Sequence, residues 1–412
     1  MTTVDAAHTS IVSPVHQRLL EALSDDLHRL DAHALRRHLT TLEAIDAPRV
    51  RVAGSWRVCW CSNDYLGLSS HPALAQAASE AIREWGLGAR ASRLLAGTTR
   101  WHQALEASLA AWFGAEEAIV YPSGYLANLG TLGALLGPTD VVLIDRLAHA
   151  SLVDAARLSR ARLRVFRHND VTHAAHLLSR SSAARRRVIV TEGVFSMEGD
   201  RSPLAELLEV AERSDALVYV DDAHGAFVLG ETGRGAPEAA GVAHSRLLYM
   251  ATLGKALGTQ GGFVVGPRPL IEWLRNRSRA FIYSTALSVP VAAASTAALQ
   301  VLSNEPHCRA PLRQRVGQLH ERLCDAGLVG KDAIASHIVP IVLGDSARAL
   351  RVAEALWERG IWAAAIRPPT VPRGGARLRL SLTALHTEAH LDELVGALRE
   401  MVRRDLHGVG IR

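Results

Sequence analysis

The amino-acid sequence predicts an α/β protein, with a mostly parallel central sheet, helices on both of its faces and a smaller C-terminal α+β domain. Between about residues 72 and 290, short apolar segments alternate with amphipathic helical segments such as PLAELLEVAERS. The apolar segments are almost wholly hydrophobic, which is typical of strands buried on both faces of a parallel sheet. After Pro290 the order changes to helices grouped around a few strands, which is typical of an α+β unit.

The N-terminal part of the chain is predicted to be mainly helical. Leucines recur at helical spacing from residue 15 to residue 46, so we expect a helix over that range. The segment WRVCWCS then reads as a short strand and leads to the turn NDYLGLSSHP. We therefore divide the chain into residues 1–71, an N-terminal helix and short strand, 72–290, a large α/β domain, and 291–412, the C-terminal α+β domain.

Seven strands are predicted in the large domain, namely EEAIVYP, DVVLID, LRVFRH, RRVIVTE, ALVYVDD, RLLYMAT and GGFVVG. Sheets of this kind bind ligands at the carboxyl ends of their strands, so we expect the functional site there. The C-terminal domain is predicted to contain the strands HIVPIVLG, IWAAAIRPP and ARLRLSL and a final helix from Glu388. The loop RPPTVPRGG lies between two of these strands, and we interpret it as a shaped active-site loop.

Composition narrows the class of protein. The formal charge is +5 and the pI about 9.3, but the basic residues are mostly arginines spread along the chain. This distribution disfavours nucleic-acid binding and favours the steering of small anionic substrates. No apolar run reaches the length of a membrane span, and the N-terminus lacks the order of a secretion signal. We therefore expect a cytoplasmic protein with no membrane contact.

Polar residues cluster where the predicted strands end. Asp221 and His224 follow one buried strand, Thr252 and Lys255 follow another, and His149, Glu192 and Ser196 follow two more. A carboxylate in such a place is costly without a cationic partner. The step Ser-Gly-Tyr opens a helix whose free backbone N–H groups form a ready anion site.

One ligand would satisfy all of these groups, namely a phosphorylated pyridinium that carries an aldehyde. Its phosphate would occupy the helix N-terminus at Gly124 and Tyr125. Asp221 would pair with the ring nitrogen, Lys255 would form a Schiff base, and His149 would lie against the ring. Pyridoxal 5'-phosphate is recognised in this way by a lysine and a carboxylate, so the residues predict this cofactor.

Each residue also has a purely structural explanation. Lys255 could be an ordinary, partly buried lysine, and Asp221 could be a turn or helix-capping residue. His149 could cap a helix, and Ser196 a turn. Arg379 could face solvent or form an ion pair. The functional interpretation is favoured because the residues form one constellation. His168, His173 and His176 serve loop structure in this interpretation, and we expect no metal site.

The chain resembles the α-oxoamine synthases, which are fold-type I pyridoxal-phosphate enzymes. From about Leu35 to the last helix, the family's motifs occur in the family's order: CSNDYLGLSSHP, SGYLAN, HASLVDAA, HNDVTH, TEGVFSMEGD, VDDAHG, TLGKALG, IYSTAL and IRPPTVPRGGARLRLSLTALHT. Singly each motif is weak to moderate, and jointly they are very specific. In one departure, GLGARASRLLAG has Arg90 where the family often has glycine, which places the local turn and thioester recognition in question.

The resemblance implies a role for each matched residue at the cofactor. Lys255 would carry the cofactor and act as acid and base at the substrate carbon. Asp221 would hold the ring nitrogen, His224 would contact the ring hydroxyl, and His149 would stack on the ring. The other contacts would come from Ser196 and Thr252, which bind cofactor oxygens, and from the phosphate-binding residues Gly124, Tyr125 and, from the neighbouring subunit, Ser284 and Thr285. The chain would therefore be an obligate homodimer with its active site at the subunit interface.

The resemblance also implies residues for the substrates. Arg379 would receive the amino-acid carboxylate, and Asn63 and Glu192 would lie near the substrate. Thr370, in the RPPTVP loop, would bind substrate as well. Arg36 matches an N-terminal arginine that meets the acyl substrate, although the register could select Arg37 and the segment LRRHL could be a solvated helix face.

The implied reaction is a decarboxylative condensation of L-alanine with a pimeloyl thioester, carried by coenzyme A or by an acyl carrier protein. The RPPTVP loop with ARLRLSLTA favours this reaction over those of the relatives, which join glycine or serine to other acyl thioesters. A noncatalytic partner subunit is disfavoured because Lys255 and Asp221 are both present. A nicotinamide dehydrogenase is disfavoured because no G-x-G-x-x-G follows the first strand.

Overall fold

The computed structural model describes residues 13–405, which form three sheets covered by helices. The helices are α1 (Pro14–Ala32), α2 (Pro72–Trp85), α3 (Arg100–Phe113), α4 (Gly124–Leu135), α5 (Ala150–Leu158), α6 (Val171–Ser179), α7 (Leu204–Arg213), α8 (Ala236–Ala239), α9 (Arg268–Arg277), α10 (Arg279–Ile282), α11 (Val289–Asn304), α12 (Ala310–Asp325), α13 (Ser346–Glu358) and α14 (Glu388–Asp405).

The strands are β1 (Ala44–Asp46), β2 (Arg49–Val52), β3 (Ser55–Cys59), β4 (Glu117–Tyr121), β5 (Val141–Asp145), β6 (Arg162–Phe166), β7 (Arg187–Glu192), β8 (Leu217–Asp221), β9 (Leu248–Thr252), β10 (Gly262–Gly266), β11 (Ile338–Gly344), β12 (Ile361–Trp362), β13 (Ala364–Ile366) and β14 (Ala376–Ser381).

The central sheet has the strand order β4-β10-β9-β8-β7-β5-β6. Every pair of neighbours is parallel except the two pairs that include β10. The seven strands of this sheet are the seven that the sequence predicts, so the mostly parallel α/β fold is confirmed. β10 is antiparallel because the connection from β9 is too short for the helical crossover that a parallel pair requires.

Helices cover both faces of this sheet because alternate residues of each strand point to opposite sides. Val142 and Ile144 of β5 pack in a cluster with residues of α4 and α5. Val141 and Leu143 of the same strand pack in a second cluster with residues of α6 and α7. The apolar runs of the sequence are therefore strands that are buried on both sides.

The predicted N-terminal helix is too long. A single helix over residues 15–46 is wrong, because α1 ends at Ala32, Ala34 adopts φ 54° and β1 begins at Ala44. Leu39 is fully exposed, so the leucine spacing beyond α1 does not mark a buried helix face. Instead, the Arg367 guanidinium donates to the backbone carbonyls of Ala34 and Arg36. This tertiary contact holds the segment in a non-helical conformation.

The C-terminal region has helices around two small sheets. One is antiparallel with the order β11-β14-β13, and the other joins β1, β2 and β3 to β12. β3 pairs in parallel with β12, so the N-terminal strands are hydrogen-bonded to the C-terminal region. The division at residues 71/72 and 290/291 stays a proposal. Among residues 13–405, no helix is long and apolar enough to cross a membrane.

Arg90 has a backbone conformation of the kind that favours the glycine of the family pattern. Its φ is 69°, in the left-handed region that glycine enters without steric cost. The guanidinium donates a hydrogen bond to the carbonyl of Trp85 over 3.0 Å. The chain therefore keeps a turn that suits glycine, although an arginine occupies it.

Candidate active site

A cavity of about 190 Å³ lies at the carboxyl ends of the central strands. It is lined by Gly124, Tyr125, Asn128, His149, Ser151, Glu192, Asp221, Ala223, His224, Met250, Thr252 and Lys255. Eight of these are residues that the sequence predicts for the site. They meet because parallel strands end at the same edge of a sheet.

Lys255 follows β9 and points into this cavity. Its Nζ lies 2.7 Å from Nε2 of His224. Burial lowers the pKa of Lys255 to about 8, against the opposing effect of the charges of Asp221 and Glu192. A lysine with this pKa has a substantial neutral fraction near neutral pH, and only the neutral amine is a nucleophile. The chain has only two lysines, Lys255 and Lys331, and Lys255 is the one whose amine lines this cavity.

Asp221 is the last residue of β8 and is buried. Its Oδ2 accepts a hydrogen bond from Nδ2 of Asn128 over 2.7 Å, and its Oδ1 accepts from the backbone N–H of Ala223 over 3.0 Å. The Asn128 amide is itself fixed, because it also donates to Ser151 Oγ and accepts from the hydroxyl of Tyr219, both over 2.8 Å. These contacts orient the carboxylate toward the cavity.

Glu192 lies beside Asp221, because the ends of β7 and β8 pair in register. Burial and the charge of Asp221 raise the pKa of Glu192 well above its usual range. Its Oε1 accepts the backbone N–H of His149 over 2.6 Å. Glu192 therefore contributes a hydrogen-bonding group to the cavity.

His149 precedes α5 and serves as its N-cap. Its Nδ1 accepts the backbone N–H of Ser151 over 3.2 Å and lies 2.7 Å from the hydroxyl oxygen of that serine. Burial and the charge of Lys255 lower the pKa of His149, so the imidazole is neutral. The ring remains open to the cavity. The helix cap and a flat surface for a ring are therefore compatible roles of one side chain.

The N-terminus of α4 closes another side of the cavity. Ser123 is the N-cap, and its Oγ accepts the N–H of Leu126 over 3.2 Å. The N–H groups of Gly124 and Tyr125 have no acceptor within the helix and can bind an anion. A Cβ on Gly262 would lie 2.5 Å from Cα of Gly124, so the approach of the helix to β10 requires glycine there. Thr252 lies alongside, and its hydroxyl donates to the carbonyl of Gly261 over 2.7 Å.

Arg379 on β14 is a buried guanidinium with neutral partners. Its Nε donates to the carbonyl of Ser196 over 2.6 Å, and its Nη2 donates to Oδ1 of Asn63 over 3.1 Å. Within residues 13–405, no salt bridge joins Arg379 to a carboxylate. The positive charge of Arg379 lowers the pKa of both Lys255 and His224. An uncompensated buried cation of this kind favours an anionic ligand.

A second cavity, of about 650 Å³, adjoins the first and shares His149 with it. Ser196 and Thr370 line this larger cavity. Arg37 donates to Oγ1 of Thr370 over 3.4 Å, whereas Arg36 forms a salt bridge of 2.7 Å with Asp31. Of the two arginines that the sequence left open, Arg37 is therefore the one beside Thr370.

Ser284 and Thr285 line neither cavity of this chain. Their predicted place in the partner's phosphate site stays a prediction. Sequence reasoning missed Asn128, whose signal was a lone amide in the apolar helix YLANLGTLGALL. It also missed Tyr65, whose hydroxyl oxygen lies 2.5 Å from Nδ1 of His224.

The residues around the smaller cavity fit a phosphorylated pyridine aldehyde. They offer an amine of lowered pKa, a carboxylate for a ring nitrogen, a neutral imidazole surface and an anion-binding helix N-terminus. Among residues 13–405, no group of three or more histidine, cysteine or acidic residues could hold a metal ion.

Comparisons with known proteins agree with this class of site. Residues 57–398 match the family described as aminotransferase class I and II. The fold matches a serine palmitoyltransferase variant from S. paucimobilis, solved with a bound PLP–myriocin aldimine, with a TM-score of 0.88 and 31% identity over 94% of this chain and 98% of that one. The chain therefore belongs to the class I and II aminotransferase family, whose fold is that of fold-type I transferases.

Curated relatives with high sequence identity indicate which enzymes of this family the chain is similar to. The chain is 48% identical to the 8-amino-7-oxononanoate synthase of Anaeromyxobacter dehalogenans, over 92% of this chain and 95% of that protein. The solved 8-amino-7-oxononanoate synthase of Francisella tularensis has a TM-score of 0.75 and 29% identity, over 85% of this chain and 99% of that one. Within the family, the chain is thus similar to 8-amino-7-oxononanoate synthases over nearly its whole length.

Proposed function

We propose that the chain catalyses the decarboxylative condensation of L-alanine with a pimeloyl thioester, giving 8-amino-7-oxononanoate, CO2 and a free thiol in biotin biosynthesis. One observation carries the proposal: Lys255, Asp221 and the open N-terminus of α4 line one cavity, in a chain 44–48% identical to relatives that bear this enzyme's name. The enzyme is thus an acyltransferase that depends on pyridoxal 5'-phosphate.

The cofactor supplies an electron sink for the electron pair left when a bond at the amino-acid α-carbon breaks. Lys255 would carry it, and Asp221, His224 and His149 would hold its ring nitrogen, hydroxyl and face. Gly124, Tyr125 and Thr252 would bind its oxygens, as would Ser196 from the adjoining larger cavity, with Ser284 and Thr285 of a second copy at the phosphate.

The residues around Lys255 make it a suitable acid and base. With a pKa of about 8, its amine accepts the α-proton of alanine and returns a proton after CO2 is lost. Asp221 is held toward the place of the ring nitrogen because Asn128 and the N–H of Ala223 donate to its carboxylate.

Arg379 binds the carboxylate of alanine in this proposal. Its neutral partners leave the guanidinium charge free for an anion, and its planar fork suits a carboxylate. Asn63 donates or accepts beside the same group. Orientation of the carboxylate matters because this group leaves as CO2 in a later step.

The pimeloyl thioester occupies the larger cavity. Because His149 lines both cavities, the thioester carbon can meet the α-carbon of alanine beside this ring. Thr370 lines this cavity and Arg37 donates to its hydroxyl, so both would contact the acyl donor. The acyl group is brought by coenzyme A or by an acyl carrier protein.

We also propose a homodimer that acts in the cytoplasm. The exposed leucines of α1, among them Leu19, Leu23 and Leu27, support a second copy that covers them. Sedimentation of the purified protein tests this, and a stable monomer with full activity would contradict it.

A paired-substrate assay tests the function. Purified enzyme with its cofactor is given alanine, glycine or serine with pimeloyl, succinyl, acetyl or palmitoyl thioester, and products are identified by mass spectrometry. We expect 8-amino-7-oxononanoate from alanine and pimeloyl thioester as the preferred reaction. A preference for glycine or serine would replace the proposal with a related synthase. Parallel assays with the coenzyme A and carrier-protein thioesters identify the donor.

A further inference from the structure

A row of close, buried polar contacts runs from Lys255 to Arg379. Nζ of Lys255 lies 2.7 Å from Nε2 of His224, and Nδ1 of the same ring lies 2.5 Å from the hydroxyl of Tyr65. That hydroxyl lies 3.1 Å from Oδ1 of Asn63, which also accepts from Nη2 of Arg379 over 3.1 Å. Tyr65 thus lies at the centre of this row of polar contacts, although it lines neither cavity.

The position and ionisation of Tyr65 are fixed by packing. Its side chain is fully buried, and the ring of His337 packs edge-on against it with centroids 4.4 Å apart. Burial raises the pKa of Tyr65 to about 12, so the hydroxyl keeps its hydrogen at physiological pH. Tyr65 therefore has one hydrogen to donate, in a direction that its surroundings determine.

The distances indicate which acceptor receives this hydrogen. Oδ1 of Asn63 already accepts from Arg379 and lies farther from the hydroxyl, at 3.1 Å, than Nδ1 of His224, at 2.5 Å. The shorter contact is the stronger hydrogen bond. Burial, together with the charges of Lys255 and Arg379, lowers the pKa of His224 well below its usual range, so the ring is neutral. A neutral imidazole that accepts at Nδ1 carries its hydrogen on Nε2.

We propose that Tyr65 is a positioning residue that fixes His224 as the tautomer with hydrogen on Nε2. The imidazole is then a hydrogen-bond donor toward the cavity, where Nζ of Lys255 faces it. An amine can accept this bond only in its neutral form, so the arrangement favours the neutral lysine. The effect on the proton transfers of Lys255 rests on the proposed function, whereas the tautomer and its effect on the lysine do not.

Other charges also act on Lys255 and have to be separated from this effect. Asp221, Glu192 and Asp222 raise its pKa, while Arg379 and burial lower it. His149 and His224 are neutral. The substitution Tyr65→Phe leaves all of these groups in place and removes one hydroxyl. Without its donor, Nδ1 of His224 can take the hydrogen, and Nε2 then accepts from the protonated lysine.

The test is the titration of Lys255 in the full-length chain freed of cofactor. Because the chain has two lysines, a sample labelled with 13C-lysine gives two Cε signals, and Lys331→Arg identifies them. We expect Tyr65→Phe to raise the pKa of Lys255 by about one unit, a tenfold change in proton affinity. The matched control is Tyr121→Phe, which removes a buried hydroxyl that donates to Ser278 and should leave the titration unchanged.

The direction in which Tyr65→Phe shifts the pKa of Lys255 tests the proposal. If Nε2 were an acceptor in the parent chain, Tyr65→Phe would leave the pKa of Lys255 unchanged or lower it, and the proposal would be wrong. A second measurement is the two-bond 1H–15N spectrum of the imidazole of His224, identified as the signal lost in His224→Asn. It should show hydrogen on Nε2 in the parent and on Nδ1 in Tyr65→Phe.

The catalytic consequence is measured separately. If Lys255 acts as the base, Tyr65→Phe shifts the acid limb of the pH profile of kcat, which reports groups in the enzyme–substrate complex, to higher pH. Failure of the alanine and pimeloyl thioester assay would remove the proposed function but leave both NMR measurements valid. Circular dichroism of each variant shows whether it is folded.

Discussion

Nδ2 of Asn128 lies 2.7 Å from Oδ2 of Asp221, and it is the side-chain donor that holds this carboxylate toward the cavity. The two residues come from α4 and β8 and are 93 positions apart in the sequence. The amide is buried beside the cavity, so its removal takes away a donor from inside the site. The orientation of this carboxylate, which we propose binds the ring nitrogen, therefore depends on α4 as well as on β8.

We expect Asn128→Ala to weaken cofactor binding by about tenfold or more, because a hydrogen bond to a charged group contributes roughly 1.5–3 kcal/mol. Visible absorbance during titration of the apoprotein with pyridoxal phosphate measures the Kd. Asn276→Ala is the matched control, since its amide donates to a carbonyl of its own helix on the surface. An unchanged Kd in Asn128→Ala would show that Asp221 does not need this donor.

Lys255 should be the site of covalent cofactor attachment. After borohydride treatment of the loaded enzyme, mass spectrometry of peptides should find the phosphopyridoxyl group on Lys255 and not on Lys331. We expect Lys255→Ala to lower kcat by about 10²–10⁴-fold, as for other positioned acids and bases, while Lys331→Arg keeps full activity. A label on Lys331, or full activity without Lys255, would contradict the assignment.

Arg379 should determine the affinity for the amino acid. We expect Arg379→Lys to raise KM for alanine about tenfold or more, because lysine keeps the charge but lacks the planar fork. Arg377→Lys on the same strand is a control, since Arg377 already forms a 3.0 Å salt bridge with Glu198. Steady-state kinetics at varied alanine measure the effect. Equal KM values in Arg379→Lys and the parent would exclude this role.

His168 should make the stability of the fold depend on pH. It lies between Asp145, at 2.9 Å, and Asp200, at 2.8 Å. Burial lowers its pKa, but hydrogen bonds to the two carboxylates outweigh this and raise the pKa of His168 from 6.5 to about 10. A raised pKa stabilises the fold fully below pH 6.5, and this contribution falls as the pH rises toward 10.

The variant His168→Gln should therefore unfold at a Tm several degrees below the parent at pH 6, with the difference shrinking by pH 10. Thermal unfolding followed by circular dichroism measures both values. His176→Gln is the control, because in the described part of the chain no salt bridge joins its ring to a carboxylate. A difference that stays constant with pH would show that His168 is not charged in the folded protein.

Local pattern was sufficient for the central sheet. Its seven strands were predicted because residues buried on both faces must be apolar along the whole strand, and this signal does not depend on distant parts of the chain. The polar residues at their ends, such as Asp221 and Lys255, were predicted for the same reason. Parallel strands end at one edge, so their last residues lie along the same side of the sheet.

The same kind of pattern failed in the N-terminal segment. Leucine spacing predicted one helix to residue 46, but α1 ends at Ala32 because Arg367 binds the carbonyls of Ala34 and Arg36. Arg367 and Ala34 are 333 positions apart in the sequence. Helical periodicity contains no information about such a partner, and the contact overrides a weak local preference.

The sequence by itself determined the α/β fold, the strand ends and the residue types of the site, because these follow from burial and periodicity along short segments. Only the tertiary structure decided that Asn128 holds Asp221, that Tyr65 meets His224 and that Arg37 lies beside Thr370. Hydrogen bonds act over about 3 Å in space between groups of any separation along the chain. Their partners are therefore fixed by how the elements pack, which no local pattern records.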